Sequence, residues 1–384
     1  MTTPLVYLDN NATTRAADEV VAAMLPTLTE EYGNASSAHR HGTAAGALVE
    51  QARAHVAALI GARPGEVIFT SGGTESDTFA LRGVLAARPD KRHLVISAVE
   101  HAAVIESAAE LERQGYAVTR IGVDGAGRLD LAGLAAALRD DTALVSIMLA
   151  NNETGVIMPV REVVTLCQPR GIPVHTDAVQ AAGKIPIDVA ALGVHLLSLS
   201  AHKFHGPKGG GALYVRRGTP LRPLLLGGPH ERGRRGGTLD TPGIVGMGVA
   251  AELARTSMAD EMPSIAALRD RLEREILARV PGAVLIAGDV PRVPNTTCFC
   301  FTGIAAEPLL VLLSELGVCA SSGAACSSGA LEPSHVLEAM GVPPPVAQGQ
   351  VRFSLSRYTT DAEIDRVLEL LPAAVRKVAA INVS

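Results

Sequence analysis

Tryptophan is absent from this 384-residue chain and aromatic residues make up only 3% of it, so close packing must come from Ala, Leu and Val. Cysteine is scarce too. Cys167, Cys298, Cys300, Cys319 and Cys326 are an odd number scattered over a long chain, which excludes a disulfide framework and leaves free thiols. Apolar stretches such as the one around Leu309 to Leu313 are broken well before the about 18 residues that cross a bilayer, so no membrane span is expected. There is no cationic excess either: 34 Lys and Arg against 39 Asp and Glu give a net charge of −5, which argues against nucleic acid as the main partner. Met1 to Asn10 lacks the basic and then apolar pattern of a secretory signal, and a cytoplasmic location is the expectation. What is plentiful is small or apolar. With 47% hydrophobic residues, 38 Gly and 23 Pro, the composition suits an α/β enzyme with sizeable cores and many tight turns.

The first half alternates short β-branched runs with Ala- and Leu-rich segments, the pattern of helices covering a mostly parallel sheet. Strands are expected at 66–70, 93–97, 117–121, 144–148, 174–177, 196–200 and 211–215, and helices at 42–60, 74–87, 102–114, 131–138 and 159–168. From Ser257 the character changes to a charged helix (265–280), an alternating strand (295–301), a helix near 307–316 and a last helix from Asp361. The expected division is a large domain over 16–256 and a smaller α+β domain formed by 1–15 and 257–384. The proline cluster Pro343 to Pro345 reads as a turn.

In such a sheet ligands gather where strands end and helices begin. Ser198 to Gly211 ends an apolar strand with Ser200, His202 and Lys203 and runs on into glycines that let the chain pass close to a ligand. Lys203, flanked by His202 and His205, reads either as a Schiff-base amine or as a surface lysine with a snorkelling stem. Neither a P-loop nor a zinc site fits here, because the glycine spacing and a third ligand are missing. Thr70-Ser-Gly-Gly-Thr-Glu-Ser76 follows a strand and opens a helix, which suits a phosphate at Gly73 and Thr74 as well as it suits ordinary capping. Asp177 ends another buried strand three residues before Gln180; it needs a partner, and a protonated ring nitrogen or a helix N-cap would each serve. Phosphate cradle, amine and acid together are what pyridoxal 5'-phosphate requires.

The ordered set Tyr7-Leu-Asp-Asn-Asn-Ala-Thr-Thr14, Tyr32-Gly-Asn-Ala-Ser-Ser37, Thr70 to Ser76, Glu100-His101, Asn151-Asn-Glu-Thr-Gly155, Asp177 to Gln180, Ser200 to Lys208, Arg232-Gly-Arg-Arg235, Ser321 to Cys326 and Leu331 to Leu337 runs almost end to end. It resembles the NifS/IscS group of cysteine desulfurases, within the fold-type I pyridoxal-phosphate enzymes. The resemblance implies a large domain with a mostly parallel seven-stranded sheet and a smaller α+β domain. It implies that Lys203 bonds the cofactor, Asp177 keeps its ring nitrogen protonated, and His101 stacks on the ring and assists proton transfer. Asn152 and Gln180 would flank the ring oxygen, and Gly73, Thr74, Ser200 and His202 would hold the phosphate. Thr238 would reach the phosphate across a homodimer interface, although Gly236 and Asp240 depart from the usual Ser and Asn nearby. Asn34 and Arg352 match positions that hold a substrate carboxylate, a task suited to a two-pronged guanidinium. Cys326, in a small-residue loop at about 320–330, would take sulfur from L-cysteine as a persulfide, leave L-alanine, and pass the sulfur to an iron–sulfur scaffold or another acceptor protein. The other cysteines are assigned to packing. His195 stands where relatives are usually acidic, with no role derived for it.

Overall fold

The computed structural model describes residues 5–323 and 334–382. A short strand, β1 (Val6–Tyr7), and helices α1 (Asp18–Thr29) and α2 (Arg40–Leu59) lead into the central sheet. Its strands are β2 (Val67–Thr70), β3 (His93–Ser97), β4 (Ala117–Ile121), β5 (Thr142–Ser146), β6 (Val174–Asp177), β7 (Leu196–Ser200) and β8 (Gly211–Val215), ordered β2-β8-β7-β6-β5-β3-β4. Only β8 runs against its neighbours. Helices α3 (Gly73–Ala87), α4 (Ala102–Arg113), α5 (Leu131–Ala137), α6 (Val160–Cys167) and α7 (Val189–Leu192) make the connections.

Period-two alternation divides each strand between two cores. Val67, Phe69, Ala212 and Tyr214 face one, and Ile68, Leu213 and Val215 face the other. The strand expectations hold with small shifts: residues 64–66 form a single tight turn before β2, and β5 starts earlier, at Thr142.

The larger difference is α8 (Thr241–Arg279), a continuous helix of 39 residues that runs through the expected boundary at 257. Its first half is rich in glycine, which in isolation disfavours helix. Close packing overrides that preference: a Cβ on Gly248 would lie 2.5 Å from Ala52, so α2 and α8 approach more closely than larger residues allow. After α8 come β9 (Ala283–Leu285), β10 (Thr296–Phe301), α9 (Ala306–Glu315), β11 (Val318–Cys319), α10 (His335–Ala339), α11 (Pro344–Ala347), β12 (Gln350–Ser354) and α12 (Asp361–Asn382). The expected proline turn is the short helix α11, because proline is welcome in a helix's first turn. Strands β12, β10 and β9 form an antiparallel sheet whose Phe299, Phe301, Val351 and Phe353 pack with α8, α9 and α12 in a third core. Among the described residues, no helix is long and apolar enough to cross a membrane.

Candidate active site

The carboxyl ends of β2, β3, β5, β6 and β7 converge on a cavity of about 310 Å³. Gly73 and Thr74 reach it from the start of α3, His101 from the N-cap of α4, Asp177 and Gln180 from the end of β6, and Ser200, His202 and Lys203 from the end of β7. Asn152 follows β5, and Arg352 projects in from β12, so the sheet beyond α8 closes the site. Ten of the expected residues therefore line one space: Gly73, Thr74, His101, Asn152, Asp177, Gln180, Ser200, His202, Lys203 and Arg352.

Glycine makes the approach possible at one end. A Cβ on Gly73 would sit 2.9 Å from Val179 Cγ2, and one on Gly211 would sit 2.5 Å from Gly72 Cα, so the α3 start, the loop after β6 and the β8 start can only meet in this way without side chains. The opening N–H groups of α3 have no partner within the helix, and Thr74, Ser200 and His202 surround that end. This donor set suits an anion. His202 contributes as a neutral ring: burial, with Lys203 and Lys208 nearby, pushes its pKa down to about 4. His101 Nδ1 accepts the Ala103 N–H at 3.1 Å, which caps α4 and places the proton of the neutral ring on Nε2.

Buried acids line the cavity as well. Asp177 Oδ1 accepts the Val179 N–H at 2.8 Å, and burial raises its pKa. Behind it, Asp77 is 1% exposed with an Oδ1 that has no hydrogen-bond partner; burial and the nearby Asp177 raise its pKa well above the carboxylate range. Glu100, completely buried, is pushed up to about 8 by burial even though Ser97 Oγ and Met148 N–H donate to Oε1. Of these three acids Asp77 and Asp177 line the cavity, where a cationic group such as a protonated ring nitrogen would favour the charged carboxylate.

Lys203 lines the same cavity, its Nζ donating to the carbonyls of Asn11 (2.6 Å) and Ala12 (2.8 Å). Arg352 is 3% exposed, paired with Asp9 at 2.8 Å and donating to the Asn152 carbonyl at 2.9 Å. The remaining expectations lie elsewhere. Asn34 is exposed and its side chain accepts the Ser36 N–H, because a short loop turn consumes it; it does not line the cavity. Thr238 is exposed and also outside the cavity of its own chain. Cys326 lies outside the described residues. The four described cysteines are unsuited to nucleophilic work: burial pushes Cys167 and Cys300 up to about 12, raises Cys298 further and raises Cys319.

Sequence reasoning missed Asn11, Asp77 and Lys184. Asn11 stands in the quoted Tyr7 to Thr14 segment, yet nothing in its spacing reveals that it touches Lys203, Gln180 and Lys184 together. Asp77, four residues after Gly73, shares that residue's helix face, and a carboxylate on a face that otherwise reads as core was the available signal.

The family model for class-V aminotransferases matches residues 6–367. The cysteine desulfurase NifS of Azotobacter vinelandii is 52% identical over 371 residues, covering 96% of this chain and 92% of that one. A solved NifS-like protein superposes with a TM-score of 0.92 at 40% identity, over 97% of this chain and all of that one (100%). A structure described as SspA in complex with cysteine gives a TM-score of 0.82 at 34% identity, covering 92% of this chain and 99% of that chain. The chain belongs to the class-V aminotransferase family, in its NifS-like group of cysteine desulfurases.

Proposed function

We propose that this protein is a pyridoxal-phosphate-dependent cysteine desulfurase that converts L-cysteine to L-alanine and receives the sulfur on Cys326. The observation that carries the reading is one cavity lined by an anion cradle at the α3 start, by the buried acids Asp77 and Asp177 and by the Lys203 amine. The cradle suits the cofactor's phosphate, the acids its ring nitrogen and the amine its aldehyde, so the residues present fit it. Bound there, pyridoxal phosphate supplies an electron sink for the carbanion at an amino acid's Cα.

The chain's own groups do the rest. Thr74, Ser200 and His202 would hold the phosphate at the α3 start, Asp177 would pair with the ring nitrogen, and Gln180 and Asn152 would hydrogen-bond to the ring oxygen. Lys203 tethers the group and moves the proton at the substrate's Cα. His101 would stack on the ring and could give or take protons through Nε2. Arg352, already presenting two guanidinium nitrogens to acceptors, takes the substrate carboxylate. The Cys326 thiolate attacks the substrate sulfur: the S–S bond forms, the Cβ–S bond breaks, and its electron pair with one proton becomes a C–H bond of alanine. Cysteine plus thiol thus becomes alanine plus persulfide, with no outside oxidant. The persulfide then serves an iron–sulfur scaffold or another acceptor protein.

The reading includes a homodimer in which Thr238 completes the phosphate site of the other copy. Exposed Leu25, Leu28, Tyr32, Leu225 and Leu226 supply apolar surface that a second copy would cover. The test of function is direct. The purified chain, loaded with pyridoxal phosphate, should turn yellow and release alanine from cysteine with a persulfide trapped at position 326. Cys326→Ala should keep the colour and lose the persulfide, and Lys203→Ala should lose both. A colourless wild-type chain after loading would end the proposal.

A further inference from the structure

The polar hub behind the cavity contains a lysine that the reaction above does not use. Lys184 is 6% exposed, and its Nζ donates to Gln180 Oε1 at 2.6 Å and to Asn11 Oδ1 at 3.0 Å. Gln180 Nε2 donates in turn to the Asn11 carbonyl at 2.9 Å, the same oxygen that Lys203 Nζ meets at 2.6 Å. Asn11 is fixed from its other side, where Nδ2 donates to Asn152 O at 3.1 Å and Thr296 Oγ1 at 2.9 Å. Asn295 Nδ2 donates to Asn11 Oδ1 at 3.1 Å.

The protonation state of Lys184 follows from its partners. An ammonium has three N–H groups to satisfy and an amine has two, and two acceptors are supplied. Burial, followed by the positive charges of Lys203 and Arg352, lowers its pKa well below the lysine range. Across a small cavity of about 30 Å³ lie His205, Glu261 and Arg357. Glu261 is itself paired with Arg357, so it does not offset those charges at Lys184.

We propose that Lys184 is a positioning residue of the site: as an uncharged amine it turns the Gln180 amide oxygen backward, directs the amide N–H groups to Asn11 and the cavity, and fixes the Asn11 turn on which Lys203 rests. The proposal rests on the function reading above, which gives Gln180 and Lys203 their tasks. With Lys184 removed, Gln180 Oε1 loses a buried donor and the amide is free to rotate by half a turn, presenting the wrong atom to the cavity.

The experiment uses the chain loaded with pyridoxal phosphate and three versions of position 184: wild type, Lys184→Met and Lys184→Gln. The first readout is the pH midpoint of the visible band, which reports whether the Lys203 nitrogen carries a proton. The second is the split between kcat and KM with cysteine. Because an uncharged amine is being replaced, Lys184→Met should leave the midpoint within about 0.3 pH unit of wild type. It should lower kcat about tenfold with little change in KM, the pattern of an interaction that matters after substrate is bound. Lys184→Gln, whose amide N–H can serve Gln180 Oε1, should recover most of that loss. A midpoint raised by about one unit or more in Lys184→Met would mean that a cation had been removed, and an unchanged kcat would mean that nothing had been positioned; either result overturns the proposal. Should Lys184→Met not fold, Lys184→Gln carries the same decision, since it too must keep the midpoint. A wild-type chain without a visible band fails differently, because it removes the function reading itself.

Discussion

Glu100 lies directly before His101 in the chain, and its orphaned Oε2 makes it a group whose charge the fold cannot accommodate. Its folded pKa of about 8 stands above the ordinary value of 4.5. The stabilising contribution of the neutral acid is complete below the ordinary value, and it is lost as pH rises through the folded one, because the unfolded chain releases the proton first. Glu100→Gln, which resembles the neutral acid and cannot ionise, should therefore melt higher than wild type at pH 8. The gap should shrink to nothing near pH 4.5. Thermal melts of both chains across that range check this, and a constant gap would refute it. The fully buried His175 is set in the opposite sense: burial pushes it down to about 3, and Ser146 and Ser198 hold its two nitrogens. At this scale the chemistry was legible wherever a reactive residue followed a strand, as with Asp177 and Lys203. It was not legible for Asp77 or Lys184, whose local surroundings read as packing and whose partners come from distant parts of the chain.

Elements were legible in proportion to how local their cause is. A short apolar or β-branched run is written in consecutive residues, so β3, β6, β7 and β8 fall where the pattern puts them. The first half of α8 is helical because α1 and α2 pack against its glycines, Met24 at Gly246 and Ala52 at Gly248, a cause that no window of sequence contains. The turn at Glu231 and Arg232 is another such case, with both residues in the left-handed region at φ +47° and +59°. Such backbone costs about 1–3 kcal/mol per residue and persists only when its surroundings hold it. Here a buried two-pronged pair holds it: Arg53 Nη1 and Nη2 lie 2.7 and 2.8 Å from the Glu231 carboxylate, which also accepts the Phe69 N–H at 2.8 Å. Glu231→Gln leaves the buried Arg53 with only the largely exposed Glu50 as counter-charge, and unfolding should become easier by up to about 3–5 kcal/mol. The double change Arg53→Met with Glu231→Gln should cost less than the two single changes added together. Denaturant titrations of the three variants measure that coupling, and simple additivity would argue against a clamp.

For the whole molecule, the sheet beyond α8 and the central sheet meet at Arg352, so the site exists only when both are in place. The sequence motifs announced this assembly as an ordered set but said nothing of which side of the cavity each one lines. The proposed second copy adds a further layer, and subunit mixing examines it. Chains carrying Lys203→Ala, mixed and refolded with chains carrying Thr238→Val, should form some dimers with one intact site. At equal mixing tight cofactor binding should reappear at about a quarter of the wild-type level, since about half of the dimers are mixed and each has one intact site of two. If Thr238 serves its own chain instead, mixing restores nothing.

Strands β7 and β8 are hydrogen-bonded as far as Ser200 opposite Gly211, and β8 is also locked to β2, so both ends of the segment that carries Lys203 are anchored in the sheet. A residue added or lost in the short tether from Ser200 to Lys203 would carry the amine away from the Asn11 and Ala12 carbonyls, whereas the exposed turn at Lys208 and Gly209 has room to absorb one. Chemical variation around the amine is open to evolution and to the protein engineer, but the length of this tether is closed to both.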